Sequence, residues 1–127
     1  ANTSGDRAHA NTSGDRAHAN TSGYRAYANT SGYRAYANTS GYRAHANTSG
    51  DRAHANTSGD EAISCSLGIN AKAKAKNGWI IIVDWRYKNN WYIENIYNSK
   101  VGGKILDEVI DSDSFYWFED GILKSDK

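Results

Sequence analysis

Residues 1–63 repeat one nine-residue phrase, A-N-T-S-G-[DY]-R-A-[HY], and no insertion or deletion breaks its register. Only the sixth and ninth slots vary through the first six copies. The seventh, ANTSGDEAI (55–63), begins to diverge, and SCSLGINAK (64–72) keeps only glycine and alanine in place. A period this strict means one structural unit repeated in space, each unit stacking on its neighbours. Nine residues are too few for a helical hairpin and enough for a short strand with a tight turn. A strand such as YRAYAN would span about 20 Å, with TSG reversing the chain. Gly5, Gly14, Gly23, Gly32, Gly41, Gly50, Gly59 and Gly68 are expected to supply a positive φ at each turn. The Asn and Ser side chains are expected to bond the backbone beside them.

Two units close a flat coil of eighteen residues, so the chain is predicted to be all-β: a two-faced β-solenoid of nine-residue repeats, two per coil. Alternation along each strand points Ala8 and Ala10 inward and Arg7, His9 and Asn11 outward. An alanine interior lets two sheets sit close together, which accounts for the absence of Leu, Ile, Val, Phe, Trp and Met from residues 1–60. In this register Tyr24 and Tyr42 stack on one side and Tyr33 faces the other. A trimer sharing the small-residue core among three chains is the alternative arrangement.

The texture changes at residue 79. All four tryptophans and both phenylalanines lie from there on, which divides the chain into a repeat region, 1–78, and a C-terminal subdomain, 79–127. WIIIVDWRYK (79–88) has the β-branched and aromatic make-up of a strand. NN (89–90) is a turn, WYIENIYNSK (91–100) the return strand, and Asp120-Gly121 a second hairpin turn. The subdomain is predicted to be an antiparallel β cap, docked through Ile63, Leu67 and Ile69 where the repeats lose their purity. A cap would cover a sheet edge that otherwise recruits other chains.

Two resemblances rest on these residues. SGDRAHANTSGDRAHA (4–19) resembles the short Ala/Ser/Gly repeats of trimeric autotransporter adhesin heads, whose unit is longer. EAISCSLGINAKAKAKNGWIIIVDW (61–85) resembles more closely the junction in a set of phage and bacterial short-repeat proteins of unknown function, where such repeats end in a small Trp-rich C-terminal domain. That resemblance implies a β-solenoid with a terminal cap and carries no activity.

Chemistry is sparse. Net charge is +1 and there is one cysteine, Cys65, so neither an intramolecular disulfide nor a cysteine metal cluster is available. No apolar run approaches the ~20 residues of a membrane helix, and no membrane partner is expected. The first apolar stretch lies far inside the chain, so no secretory signal is read and the compartment stays open. His9, His18, His45 and His54 share one slot, but tyrosine interrupts them, so no metal site and no cofactor are expected. The carboxylates of Asp111, Asp113, Glu119 and Asp120 have no histidine or nucleophile beside them, and no enzyme activity is expected. Calcium rolls of the same period need Asp-rich turns, whereas three of seven units here carry Tyr. The expected role is structural and self-associating, the partner being a second copy paired through the N-terminal coil. The alternative is a multivalent module that uses the outward rows of Tyr24, Arg25, Tyr27, Tyr33, Arg34, Tyr36, Tyr42 and Arg43 to hold a polyanion such as nucleic acid, or a glycan. Against that stand the Asp residues preceding several of the arginines, expected to neutralise them locally.

Overall fold

The computed structural model describes residues 2–119 and 121–126, and every regular element among them is a β-strand. The repeats supply β1 (Asn2–Thr3), β2 (His9–Thr12), β3 (His18–Thr21), β4 (Tyr27–Thr30), β5 (Tyr36–Thr39), β6 (His45–Thr48) and β7 (His54–Ser66). They are followed by β8 (Lys72–Lys88), β9 (Asn90–Lys100), β10 (Lys104–Ile105), β11 (Glu108–Val109), β12 (Tyr116–Glu119) and β13 (Ile122–Ser125).

The coil is eighteen residues long. His9 pairs with Tyr27 and Tyr27 with His45, parallel and in register, and Asn20 pairs in the same way with Asn2 and Asn38. One face therefore stacks β1, β3, β5 and the starts of β7 and β8, and the other stacks β2, β4, β6 and later parts of the same two strands. β7 and β8 run round the corner without a break, and β8 passes through residues 78 and 79. Their pairing tightens as it turns. Thr57↔Ala75, Asp60↔Asn77 and Ile63↔Trp79 give offsets of 75 − 57 = 18, 77 − 60 = 17 and 79 − 63 = 16 residues, the register shifts of a bulged strand pair.

Inward-pointing side chains are small, as expected. Ala19, Ala26, Ala28, Ala35, Ala37, Ala44 and Ala46 are all fully buried, and a central file of alanines runs from Ala10 to Ala55. The inward row also includes threonine: Thr21, Thr30, Thr39, Thr48 and Thr57 are buried. Thr48 donates to Ser66 Oγ at 3.1 Å. The hydroxyls of Thr21, Thr30, Thr39 and Thr57 have no hydrogen-bond partner among the described residues, so threonine contributes its β-branched shape and methyl group rather than a bond.

Three local expectations are corrected. The turn is Gly-[Asp/Tyr]-Arg-Ala, closed by the Ala8 N–H donating to the Gly5 carbonyl at 3.1 Å and repeated at the corners from Gly14 to Gly50, and the strand is the following His/Tyr-Ala-Asn-Thr. Positive φ falls on the arginine, 55–58° at Arg7, Arg16, Arg25, Arg34, Arg43 and Arg52, and on Glu61 and Asn70 in the same slot; none of the repeat glycines has it. Glycine is required because coils come closest there. A Cβ at Gly23, Gly32, Gly41, Gly50, Gly59 or Gly68 would overlap the carbonyl oxygen of the glycine one coil earlier, whereas at Gly5 and Gly14 it would meet only an alanine Cβ at 3.9 Å. Nor do the asparagines bond locally. Asn20, Asn38 and Asn29, Asn47 donate to the asparagine one coil earlier at 2.7–2.9 Å, building a ladder on each face.

The C-terminal strands are antiparallel. β9 folds back along β8 from Asn90↔Lys88 to Lys100↔Trp79, with Asn89 at φ 65° in the connection. β10 pairs with β11 and β12 with β13; Gly121, at φ 80°, lies in the second hairpin turn, while Asp120 falls outside the described residues. β12 meets the last coil at Tyr116↔Ala73. The apolar contact comes from Ala73, Ala75, Ile80 and Ile82 against Ile105, Ile110, Tyr116 and Phe118, and not from Ile63, Leu67 and Ile69 as expected. Those three point away from the interior, and Leu67 is exposed. The buried Tyr116 hydroxyl accepts the Asp111 N–H at 2.8 Å, which ties the 111–115 loop to this core.

Candidate ligand-binding groove

Stacking identical coils turns each outward slot into a column. On the face carrying β3 and β5, His18, Tyr36 and His54 stack with ring centroids 4.9 and 4.4 Å apart and planes within 12°. On the other face His9, Tyr27 and His45 repeat the arrangement at 4.9 Å. The corner tyrosines also fall as expected: Tyr24 stacks on Tyr42 at 5.7 Å, and Tyr33 sits at the opposite corner. Each of Arg25, Arg34 and Arg43 lies over the ring of the tyrosine preceding it, 5.2 Å from the centroid. The eight residues singled out from the sequence therefore separate, with Tyr33, Arg34 and Tyr36 on one side and Tyr24, Arg25, Tyr27, Tyr42 and Arg43 on the other.

Each face holds a groove between its arginine row and its aromatic column. That on the Tyr27 face measures about 420 Å³ and is lined by Arg25, Arg43 and Glu61 beside Tyr27 and His45. Glu61 takes the Arg43 Nε–H at 3.1 Å and the Tyr42 hydroxyl at 3.0 Å, and both contacts hold its carboxyl below the usual carboxylate range. The arginine row on that face thus ends on its own counter-ion.

The groove on the Tyr36 face is larger, about 570 Å³, with Arg16, Arg34, Arg52 and Lys72 along it and Asn70 where the other face has Glu61. Trp117 and Glu119 of β12 close it towards the C-terminal sheet, and Lys72 Nζ lies 4.0 Å from the Trp117 ring centroid. The Glu119 carboxylate is engaged by Lys124 at 2.9 Å. His54 meets the edge of Phe115 at 5.1 Å; burial and the charge of Lys72 bring its pKa down from 6.5 to about 4, so its imidazole is neutral at pH 7. The expected pairing of each Asp with the Arg beside it does not occur. No ion pair among the described residues joins such neighbours, and Asp51 instead accepts the Ile69 N–H at 3.3 Å.

Sequence reasoning missed Arg16, Arg52 and Lys72 as partners of Arg34, although the eighteen-residue coil places Arg16 and Arg52 one coil to either side of it. Trp117 and Glu119 gave no such signal, because a distant hairpin brings them in. Also missed is the apolar surface of the β8–β9 hairpin. Trp79, Tyr87, Trp91, Ile93 and Ile96 each expose about two-fifths or more of their surface, and the Tyr87 and Trp91 rings meet edge to face at 5.3 Å. Cys65 is half-buried, which pushes its thiol pKa up and away from reactivity. Among the described residues no three His, Cys, Asp or Glu side chains are grouped as a metal ion requires, and no helix is long and apolar enough to cross a membrane. Comparison of the chain with protein-family models, curated proteins and solved structures finds no match.

Proposed function

We propose that the chain is a structural repeat protein that works by associating with further copies of itself, with the C-terminal sheet serving as the cap of its solenoid. The observation that carries this is strand β9. It is eleven residues long, pairs only with β8 among the described residues, and bears the exposed Ile93 and Ile96 together with Trp91. A long, apolar edge strand with unpaired N–H and C=O groups is a template for a further strand, and contiguous exposed apolar surface is characteristic of interaction sites. Antiparallel pairing of β9 with β9 of a second copy is isologous, so a single contact closes a two-fold dimer. β1 and β2, with two and four residues, offer shorter edges.

Light scattering over a concentration series tests the association. The wild-type chain is expected to be a dimer or larger, and the double variant Ile93→Lys, Ile96→Lys a folded monomer, since both side chains already face solvent. A wild-type chain that remains monomeric at its highest soluble concentration would remove the basis for this role.

A further inference from the structure

We infer that the groove on the Tyr36 face binds a linear carboxylated polysaccharide, a polyuronate lying along the solenoid axis. Three observations converge on it. The first is charge: Arg16, Arg34, Arg52 and Lys72 line the groove against one carboxylate among the described residues, that of Glu119, which Lys124 already engages. Asp15 and Asp51 precede two of the arginines at the turn but do not line the groove. On the opposite face, Glu61 occupies the slot that is Asn70 here and takes up Arg43.

The second is repetition. Stacked strands lie about 4.8 Å apart, so a ligand running across them meets a guanidinium once per coil. An extended two-fold polyuronate advances by a similar distance per sugar and turns every second carboxylate to the same side, so those facing the groove meet every second guanidinium of the row, and a carboxylate is the group that a guanidinium grips with two parallel hydrogen bonds.

The third is the orientation of the rings. Tyr36 has one face against His18 and the other against His54, and His54 meets Phe115 beyond it. The stacked column thus turns ring edges, not faces, towards the groove. Single-stranded nucleic acid is held by stacking its bases on open aromatic faces, and the centre of this column offers none. Ring edges that carry a phenol hydroxyl and imidazole nitrogens suit sugar hydroxyls.

The experiment is calorimetric titration of the full chain with a galacturonate oligomer at low and moderate salt, with oligothymidylate of similar charge as the comparison. The double variant Arg34→Asn, Arg52→Asn removes two charges from this groove, and Arg7→Asn, Arg25→Asn removes two from the other face. Asparagine is chosen because Asn70 holds the same slot at φ 56°, so the turns stay intact. Saturable, salt-sensitive uronate binding is expected, weakened about tenfold or more by the first pair and within about twofold of wild type for the second. Equal losses from the two pairs would reduce the effect to net charge and overturn the site. Absence of saturable uronate binding, or oligothymidylate binding as tight as uronate, would overturn the ligand class.

Discussion

At the scale of single residues, a slot's chemistry is set by what stands eighteen positions away. Arginine at the turn is held at a φ of 55–58°, which costs about 1 kcal/mol relative to a residue suited to the left-handed region. The coil keeps it there because its N–H donates across to the following coil, as from Arg7 to the Tyr24 carbonyl at 2.8 Å. His54 shows the same dependence electrostatically. Its folded pKa of about 4 lies below the ordinary 6.5, so between those values the unfolded chain binds a proton that the folded chain refuses. Stability is therefore fully present above pH 6.5 and falls as pH drops towards 4. Discounted for partial exposure, the loss is about 1 kcal/mol. Urea titrations at pH 7 and pH 5 are expected to show a smaller acid loss in His54→Tyr, a change to the residue that Tyr27 and Tyr36 already place in that slot. The same pH dependence in both proteins would contradict the buried, neutral imidazole. The depressed carboxyls of Glu61 and Glu119 lose their contribution only below about pH 4.5, so they do not enter the comparison between pH 7 and pH 5.

At the scale of strands, the interior is as narrow as its side chains allow. Ala35 is fully buried at the end of its turn, just before β5, and Thr39 nearly so at the end of that strand. Ala35→Leu is expected to cost about 1–3 kcal/mol or more through overpacking. Thr39→Val, which replaces an unpartnered hydroxyl by a methyl of similar shape, is expected to be neutral or to stabilise by about 1 kcal/mol. Thermal melts of the two variants check both, and a Thr39→Val melting point well below wild type would show that the hydroxyl does find a partner. The alternation that puts Ala8 and Ala10 inward was legible because its period is two and the residue types are unambiguous. The turn was not, because a glycine in a short loop is ordinarily explained by its own φ. Here it answers to a carbonyl one coil earlier, a constraint that no local window contains. Asn70 in the arginine slot was the one signal available, asparagine being the residue other than glycine that most readily takes the left-handed conformation.

At the scale of the whole molecule, the coil length and the pairing of Tyr24 with Tyr42 could be read from the period alone. The contact between solenoid and C-terminal sheet could not. It is made by Tyr116 and Phe118 across more than thirty residues onto Ala73 and Ile80, and nothing in the spacing of those residues links them. The same is true of the groove, whose arginine row follows from the coil but whose closure by Trp117 depends on where β12 comes to rest. The groove runs from the repeats to the C-terminal sheet, and the apolar edge of β9 lies beyond them. The apolar edge of β9 and the cationic groove are lined by different residues, so their variants can be tested independently.

All of these arguments depend on coils that stack glycine on glycine, and one comparison isolates that stacking. Residues 10–18 and 46–54 are identical, ANTSGDRAH. A Cβ at Gly50 would overlap the Gly32 carbonyl, whereas at Gly14 the nearest atom is the Ala17 Cβ at 3.9 Å. Gly14→Ala and Gly50→Ala are therefore the same substitution in the same local sequence, differing only in what lies one coil earlier. Denaturant unfolding of the two variants is expected to show Gly14→Ala within about 1 kcal/mol of wild type and Gly50→Ala destabilised by about 3 kcal/mol or more, or unable to fold. Equal stability of the two variants would contradict the stacked-coil solenoid.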